Sequence, residues 1–114
     1  GSYFLSTDKY ISENTDTLAK FLQAVDESTQ YINDHLDESA EYLADKLGLK
    51  AEDFKENWKN YSFEPGFSEE ATAHLEDIEK WGFEHGSFPK DYNVRDFINT
   101  DVAKIAFPDN VNIE

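Results

Sequence analysis

The chain has 114 residues, of which 39% are apolar, 15% aromatic and 31% charged, enough for one modest core in a single domain. Twenty-five acidic residues against ten basic ones give a formal charge of −15, which argues against docking a nucleic-acid backbone or an anionic lipid surface, since both need a positive face. Cysteine is absent and Phe, Tyr and Trp number seventeen, which excludes disulfides, thiolate metal sites and a Cys nucleophile, and argues against intrinsic disorder.

Gly1-Ser2 reads as a remnant of tag cleavage, and residues 3–114 read as a single helical domain cut from a longer protein. No apolar run approaches the ~20 residues of a membrane span. The segment Tyr3-Phe4-Leu5-Ser6-Thr7 has the β-favouring residues of a short strand, and Asp8-Lys9-Tyr10-Ile11 leads from it towards a helix. Asn14 is the expected N-cap of that helix, with Asp16 in a first turn where the helix dipole favours an acid. Leu18, Phe21, Leu22, Val25, Thr29, Ile32 and Leu36 then recur at spacings of three and four, the stripe of a long amphipathic helix over about 15–35. Asp37 is expected to cap a second helix at 38–47, with Ala40, Leu43, Ala44 and Leu47 on one face and Gly48 as its stop.

A third helix is expected at 51–60, with Ala51, Phe54 and Trp58 on one side. Tyr61 and Phe63 alternate with polar residues in an extended stretch, and Pro65-Gly66 signals a turn. Ser68 caps a fourth helix at 68–85 with Glu69 and Glu70 in its first turn and an apolar stripe of Ala71, Leu75, Ile78 and Trp81. Beyond Phe88-Pro89, Val94–Ile98 and Val102–Ala106 each suit a short helical turn. The fold class is mainly α: four principal helices with short extended segments at the ends. Trp81 is expected to be buried.

The histidines are His35, His74 and His85. Eleven residues along a helix separate the last two by about 16 Å, too far to share one metal ion unaided. His35 suits a cation near a helix C-terminus. The pairs Asp26-Glu27, Asp37-Glu38, Glu52-Asp53, Glu69-Glu70 and Glu76-Asp77 lie opposite the apolar stripes. Catalytic carboxylate pairs face each other across a pocket, whereas these are neighbours on helix outer faces and read as solvated. Trp58, Trp81, Phe54, Phe83 and Phe88 could compose an aromatic cage, but their helical spacing reads as core packing. No EF-hand, phosphate-loop, dinucleotide or nucleophile-elbow pattern is present. The sequence assigns no catalytic, metal-binding or cofactor-binding residue, implies no cofactor and does not read as an enzyme.

The order of segments resembles the C-terminal third of solute-binding proteins of ABC importers in the nitrate, sulfonate, taurine and thiamine-precursor group. The resemblance is carried by Ser12-Glu13-Asn14-Thr15-Asp16-Thr17-Leu18, Phe21-Leu22-Gln23-Ala24, Tyr31-Ile32-Asn33-Asp34-His35 and Asp37-Glu38-Ser39-Ala40-Glu41-Tyr42-Leu43-Ala44. It continues through Lys46-Leu47-Gly48-Leu49, Tyr61-Ser62-Phe63, Gly86-Ser87-Phe88-Pro89 and Val94-Arg95-Asp96-Phe97-Ile98, spanning residues 3 to about 108. Leu49-Lys50-Ala51-Glu52 departs from the family's Asp-Pro-Glu helix start. The resemblance implies a fragment of a two-lobed α/β fold whose lobes close on a small solute about a hinge, with an ABC permease as partner. It also implies an extracytoplasmic parent, either a cell-surface lipoprotein or periplasmic. It transfers no ligand-binding residue, although Ser6, Thr7 and Asp8 would lie nearest the cleft. An isolated fragment is expected to leave apolar helix faces uncovered and to self-associate through them. The rival reading is a free-standing acidic helical module that binds a protein in the groove between the first and fourth helices.

Overall fold

The computed structural model describes residues 3–61 and 64–113. Gly1, Ser2, Glu114 and the Ser62-Phe63 part of the extended stretch lie outside the described residues. The elements among the described residues are helical: α1 (Asp8–Glu13), α2 (Thr15–Asp34), α3 (Leu36–Leu47), α4 (Ala51–Lys59), α5 (Glu69–Glu84) and α6 (Asp101–Ala106), with 3-10 turns at Val94–Phe97 and Pro108–Asn110. Among the described residues the only β pairing is one parallel bridge, Phe67 with Val111. The expected short strand at 3–7 does not form, because a lone extended segment without a neighbouring strand has no ladder to join. Its rings pack on other aromatics instead: the Tyr3 ring lies tilted at 5.7 Å from that of Phe67, and Phe4 meets Phe21 edge-on at 5.4 Å.

The chain divides into two units, one taking residues up to Leu22 and from Gly66 onward, the other Gln23–Pro65. The second is built on a helical hairpin. α4 returns along α3, so that Ala40, Ala44 and Phe54 form its core, with Ile32, Leu36, Leu43, Ala51 and Trp58 packed around it. Ala40 is fully buried and Phe54 is 8% exposed. The Trp58 ring stacks on Phe54 at 5.7 Å and its indole N–H donates to Asn33 Oδ1 at 2.8 Å, the partner a half-buried indole needs. Gly48 ends α3 at φ 69°, a left-handed conformation that glycine adopts at little cost. Asp37 does not cap α3. His35 occupies the N-cap position without a side-chain bond, and Asp37 sits in the first turn, favoured there by the helix dipole.

The first unit has a smaller core: Ala19, Val102 and Ala106, flanked by Ile11, Leu18, Leu22 and Phe107. α1 is capped by Thr7, whose Oγ1 accepts from the Tyr10 amide at 3.1 Å. Asn14 sits at the break between two helices: its carbonyl accepts from the Leu18 amide at 2.9 Å, the N-cap position expected for α2, while its Nδ2 donates to the Tyr10 carbonyl at 3.1 Å and closes α1. An Asn side chain bonds backbone on either side of a helix break, and here the side chain serves the short preceding helix while the carbonyl serves the long one. α5 begins as expected: Ser68 Oγ accepts from the Ala71 amide at 3.0 Å, and Thr72, fully buried, donates to the Ser68 carbonyl.

Candidate functional site

α5 presents three faces in its own unit. One, carrying Glu69, Glu76 and Glu79, is tied to the 3-10 turn at Val94–Phe97. Arg95 donates from Nε and Nη2 to Glu76 Oε1 at 3.2 and 2.9 Å and from its guanidinium to both oxygens of Glu69, while the Val94 amide donates to Glu79 Oε2 at 3.1 Å. These bonds hold the Glu69 carboxyl below the usual carboxylate range, chiefly through hydrogen bonding from Arg95, and push the guanidinium, bonded to Glu69 and Glu76, further above its ordinary value. Arg95 is the sequence's only arginine. A lone planar fork in an acid-rich chain was the available signal for this network.

The second face is a shallow groove of about 540 Å³, lined by Tyr3, Ser68, Glu70, Ala71, His74 and Asp77 among others. Glu70 and Asp77, four residues before and three after His74, share its side of the helix. The groove opens to solvent, so its charges act in a high dielectric and water is not excluded from them. Hydrogen bonding and weak polar contact are within its chemistry; a desolvated acid–base pair is not.

The third face is apolar and open: Ile78 is 53% exposed and Trp81 59%. The expectation that Trp81 is buried is therefore overturned. The Ala71, Leu75, Ile78, Trp81 stripe has the spacing of a core face, but no described element lies over its C-terminal half. Trp81 stacks at 4.2 Å on His85, whose Nδ1 lies 2.8 Å from the Trp81 carbonyl. Tyr31 and His35 repeat the device at the end of α2, with rings 4.3 Å apart and Nδ1 3.1 Å from the Tyr31 carbonyl. His35 thus sits at a helix C-terminus, as its sequence position indicated.

The remaining candidates disperse. Ser6 and Thr7 are engaged locally, Ser6 Oγ donating to the Thr7 carbonyl at 3.5 Å and Thr7 capping α1, with Asp8 in the first turn. Phe54 and Trp58 belong to one unit's core, whereas Trp81, Phe83 and Phe88 belong to the other unit. Phe83 and Phe88 stack at 6.3 Å, and Phe88 continues to Tyr92 and Phe97 in a ladder of rings 5.3 and 5.6 Å apart. Among the acidic pairs, Asp37 and Glu52 both bind Lys55, at 3.2 and 2.7 Å, and raise its ammonium pKa, chiefly through the hydrogen bond to Glu52. Among the described residues no three His, Asp or Glu side chains gather to hold a metal ion. No helix of the described residues is long and apolar enough to cross a membrane.

Comparison of the chain with models of known families, with curated proteins and with solved structures finds no match.

Proposed function

We propose that this chain is the C-terminal part of the substrate-binding component of an ABC importer for a small solute such as a sulfonate, nitrate or a thiamine precursor. The observation that carries the reading is the open face of α5. Ile78 and Trp81 stand at core spacing on a sixteen-residue helix yet are more than half exposed. Each large apolar side chain left in water forgoes about 1.5–3 kcal/mol of burial. A further layer packed on α5 would recover it, and in the two-lobed fold that layer is a lobe's sheet. The motif order quoted above supplies the family. In this reading the parent's lobes close on the solute about a hinge, a permease reads the closed state, no cofactor takes part, and the parent works outside the cytoplasm.

The test has two arms. Calorimetry of this chain with taurine, an alkanesulfonate, nitrate and a thiamine precursor should give no binding heat, because the cleft lies in the remainder of the parent; a micromolar dissociation constant overturns the fragment reading. The gene should encode about 200 upstream residues of alternating strands and helices after a lipoprotein signal, beside genes for a permease and an ATPase. An open reading frame that starts at this helical segment instead favours the free-standing acidic helical interaction module.

A further inference from the structure

The geometry points to a conformational latch in the first unit: the segments 66–69 and 110–112 clasp each other, and the clasp sets one wall of the groove along α5 through the contacting rings of Phe67 and Tyr3. The Phe67 amide donates to the Asn110 carbonyl at 3.1 Å, and the Asn112 amide donates back to the Phe67 carbonyl at 3.1 Å. Asn112 Oδ1 then accepts from the Glu69 amide at 2.9 Å. The first turn of α5 therefore has one free amide satisfied by its own Ser68 and another by a side chain 43 residues further along the chain.

Glycine is required where the two segments meet. Gly66 lies at φ +125°, and a Cβ there would stand 2.3 Å from the Asn110 carbonyl oxygen and 2.7 Å from Asn110 Cβ. The obstacle is backbone, so no side-chain rotation relieves it. Any larger residue holds the clasp apart. On the other side, the Pro108–Asn110 turn aims the Asn110 carbonyl, its own amide donating to Phe107 at 3.0 Å.

The clasp can open without dismantling the core. Gly66, Asn110 and Asn112 are exposed, and none of them belongs to the cluster of Ala19, Val102 and Ala106. A small set of surface hydrogen bonds with little apolar burial forms a cooperative unit that opens more often than the whole fold. Its output is the groove: Phe67 is half-buried within the clasp, the Tyr3 ring packs on Phe67 at a tilt, and Tyr3 lines the groove with Ser68, Ala71 and His74. Release of Phe67 removes the support under Tyr3 and widens the groove at its Ser68 end.

Amide hydrogen exchange by NMR tests this directly. In the unaltered chain the Phe67, Glu69 and Asn112 amides should exchange at one common rate, faster than Ala44 and Phe54 in the other unit. Gly66→Ala should speed all three by about tenfold or more and abolish the Tyr3–Phe67 ring contact, leaving Ala44 and Phe54 unchanged. Asn112→Ala, a milder change at an exposed position, should speed the same three amides together by a smaller factor. Three unrelated rates in the unaltered chain, or Gly66→Ala with the three amides and the ring contact unchanged, overturns the latch. So does an Asn112→Ala variant that accelerates Glu69 alone.

Discussion

The two units are held by different physics. The Gln23–Pro65 unit closes a helical hairpin between neighbours in sequence and buries one large aromatic, Phe54, against two alanines. The other joins chain segments far apart in sequence around three small side chains, and adds polar fastenings: the Arg95 network, the cap from Asn112 and the clasp at Gly66. Local contacts with a large buried ring give stability that concentrates in a few residues. Distant contacts with a small core spread it over hydrogen bonds, each of modest net worth. The first unit also leaves its largest stripe residue, Trp81, in solvent. The hairpin also leaves large apolar side chains in solvent, among them Tyr42 and Leu47, so the contrast lies in how each core is closed rather than in which unit is covered.

The largest effect that sharpens the contrast is Phe54→Ala. It removes a ring that is 8% exposed and stacked on Trp58, and large-to-small core changes of this kind cost about 3–5 kcal/mol. Chemical denaturation followed by circular dichroism should show that loss; a change below about 1 kcal/mol would mean that the hairpin is not closed by its aromatic pair.

Ser39→Ala should act in the opposite direction. Ser39 is buried in α3, and its hydroxyl finds no hydrogen-bond partner among the described residues. A buried unpaired hydroxyl costs free energy and alanine is the better helix former, so the variant should gain up to about 1 kcal/mol. A loss in the same denaturation assay would reveal a partner for that hydroxyl and remove the one polar flaw assigned to the hairpin.

Trp81→Ala should be nearly silent in the isolated chain, below about 1 kcal/mol, since exposed side chains away from special features contribute little. Attached to its proposed parent, the same change should cost far more, because a layer over α5 would bury the ring. A loss of about 3 kcal/mol or more in the isolated chain would show that the face is already covered there, by self-association or otherwise. Sedimentation at two concentrations separates those cases.

The same contrast explains what was legible in the sequence. Periodicity located all four principal helices, and Gly48 and Ser68 marked a stop and a start correctly. It misjudged which residues pack most deeply. The long-helix stripe weighted Phe21, which is half-exposed, and passed over Ala19, which is buried. Helices approach closely over small side chains, and an alanine carries almost no hydropathy signal. Asn14 was placed correctly before α2, whereas Asp37 was misassigned because an acid suits the N-cap and the first turn alike, and the helix starts two residues earlier. The clasp was invisible: it pairs Phe67 with residues more than forty positions away through backbone groups, and Gly66 read simply as a turn. The Arg95 network joins acids and a base 19 and 26 residues apart, beyond any helical spacing rule. The groove on α5 likewise needs Tyr3, distant in sequence from its other lining residues.

The smallest expected effect probes the polar fastening alone. Glu69 is solvent-exposed, so its bond to Arg95 adds little to global stability, as surface ion pairs do, yet it leaves a signature in titration. Hydrogen bonding from Arg95 lowers the carboxyl below its ordinary value in the folded chain. A carboxylate with a depressed folded value contributes its stabilisation fully above the unfolded glutamate range, and that contribution fades as pH falls through the folded value. Side-chain carboxyl NMR should therefore show Glu69 titrating below ordinary glutamates, and Arg95→Ala should return it to their range while the hairpin's resonances stay fixed. At low pH the Val94–Phe97 turn should loosen from α5 as Glu69 takes up its proton, visible as faster exchange of the Val94 amide that Glu79 accepts. A Glu69 that titrates as an ordinary glutamate with Arg95 present would mean that the fork does not hold it in solution. The unit around α5 would then depend on its three small core residues and the clasp, and its contrast with the hairpin would deepen.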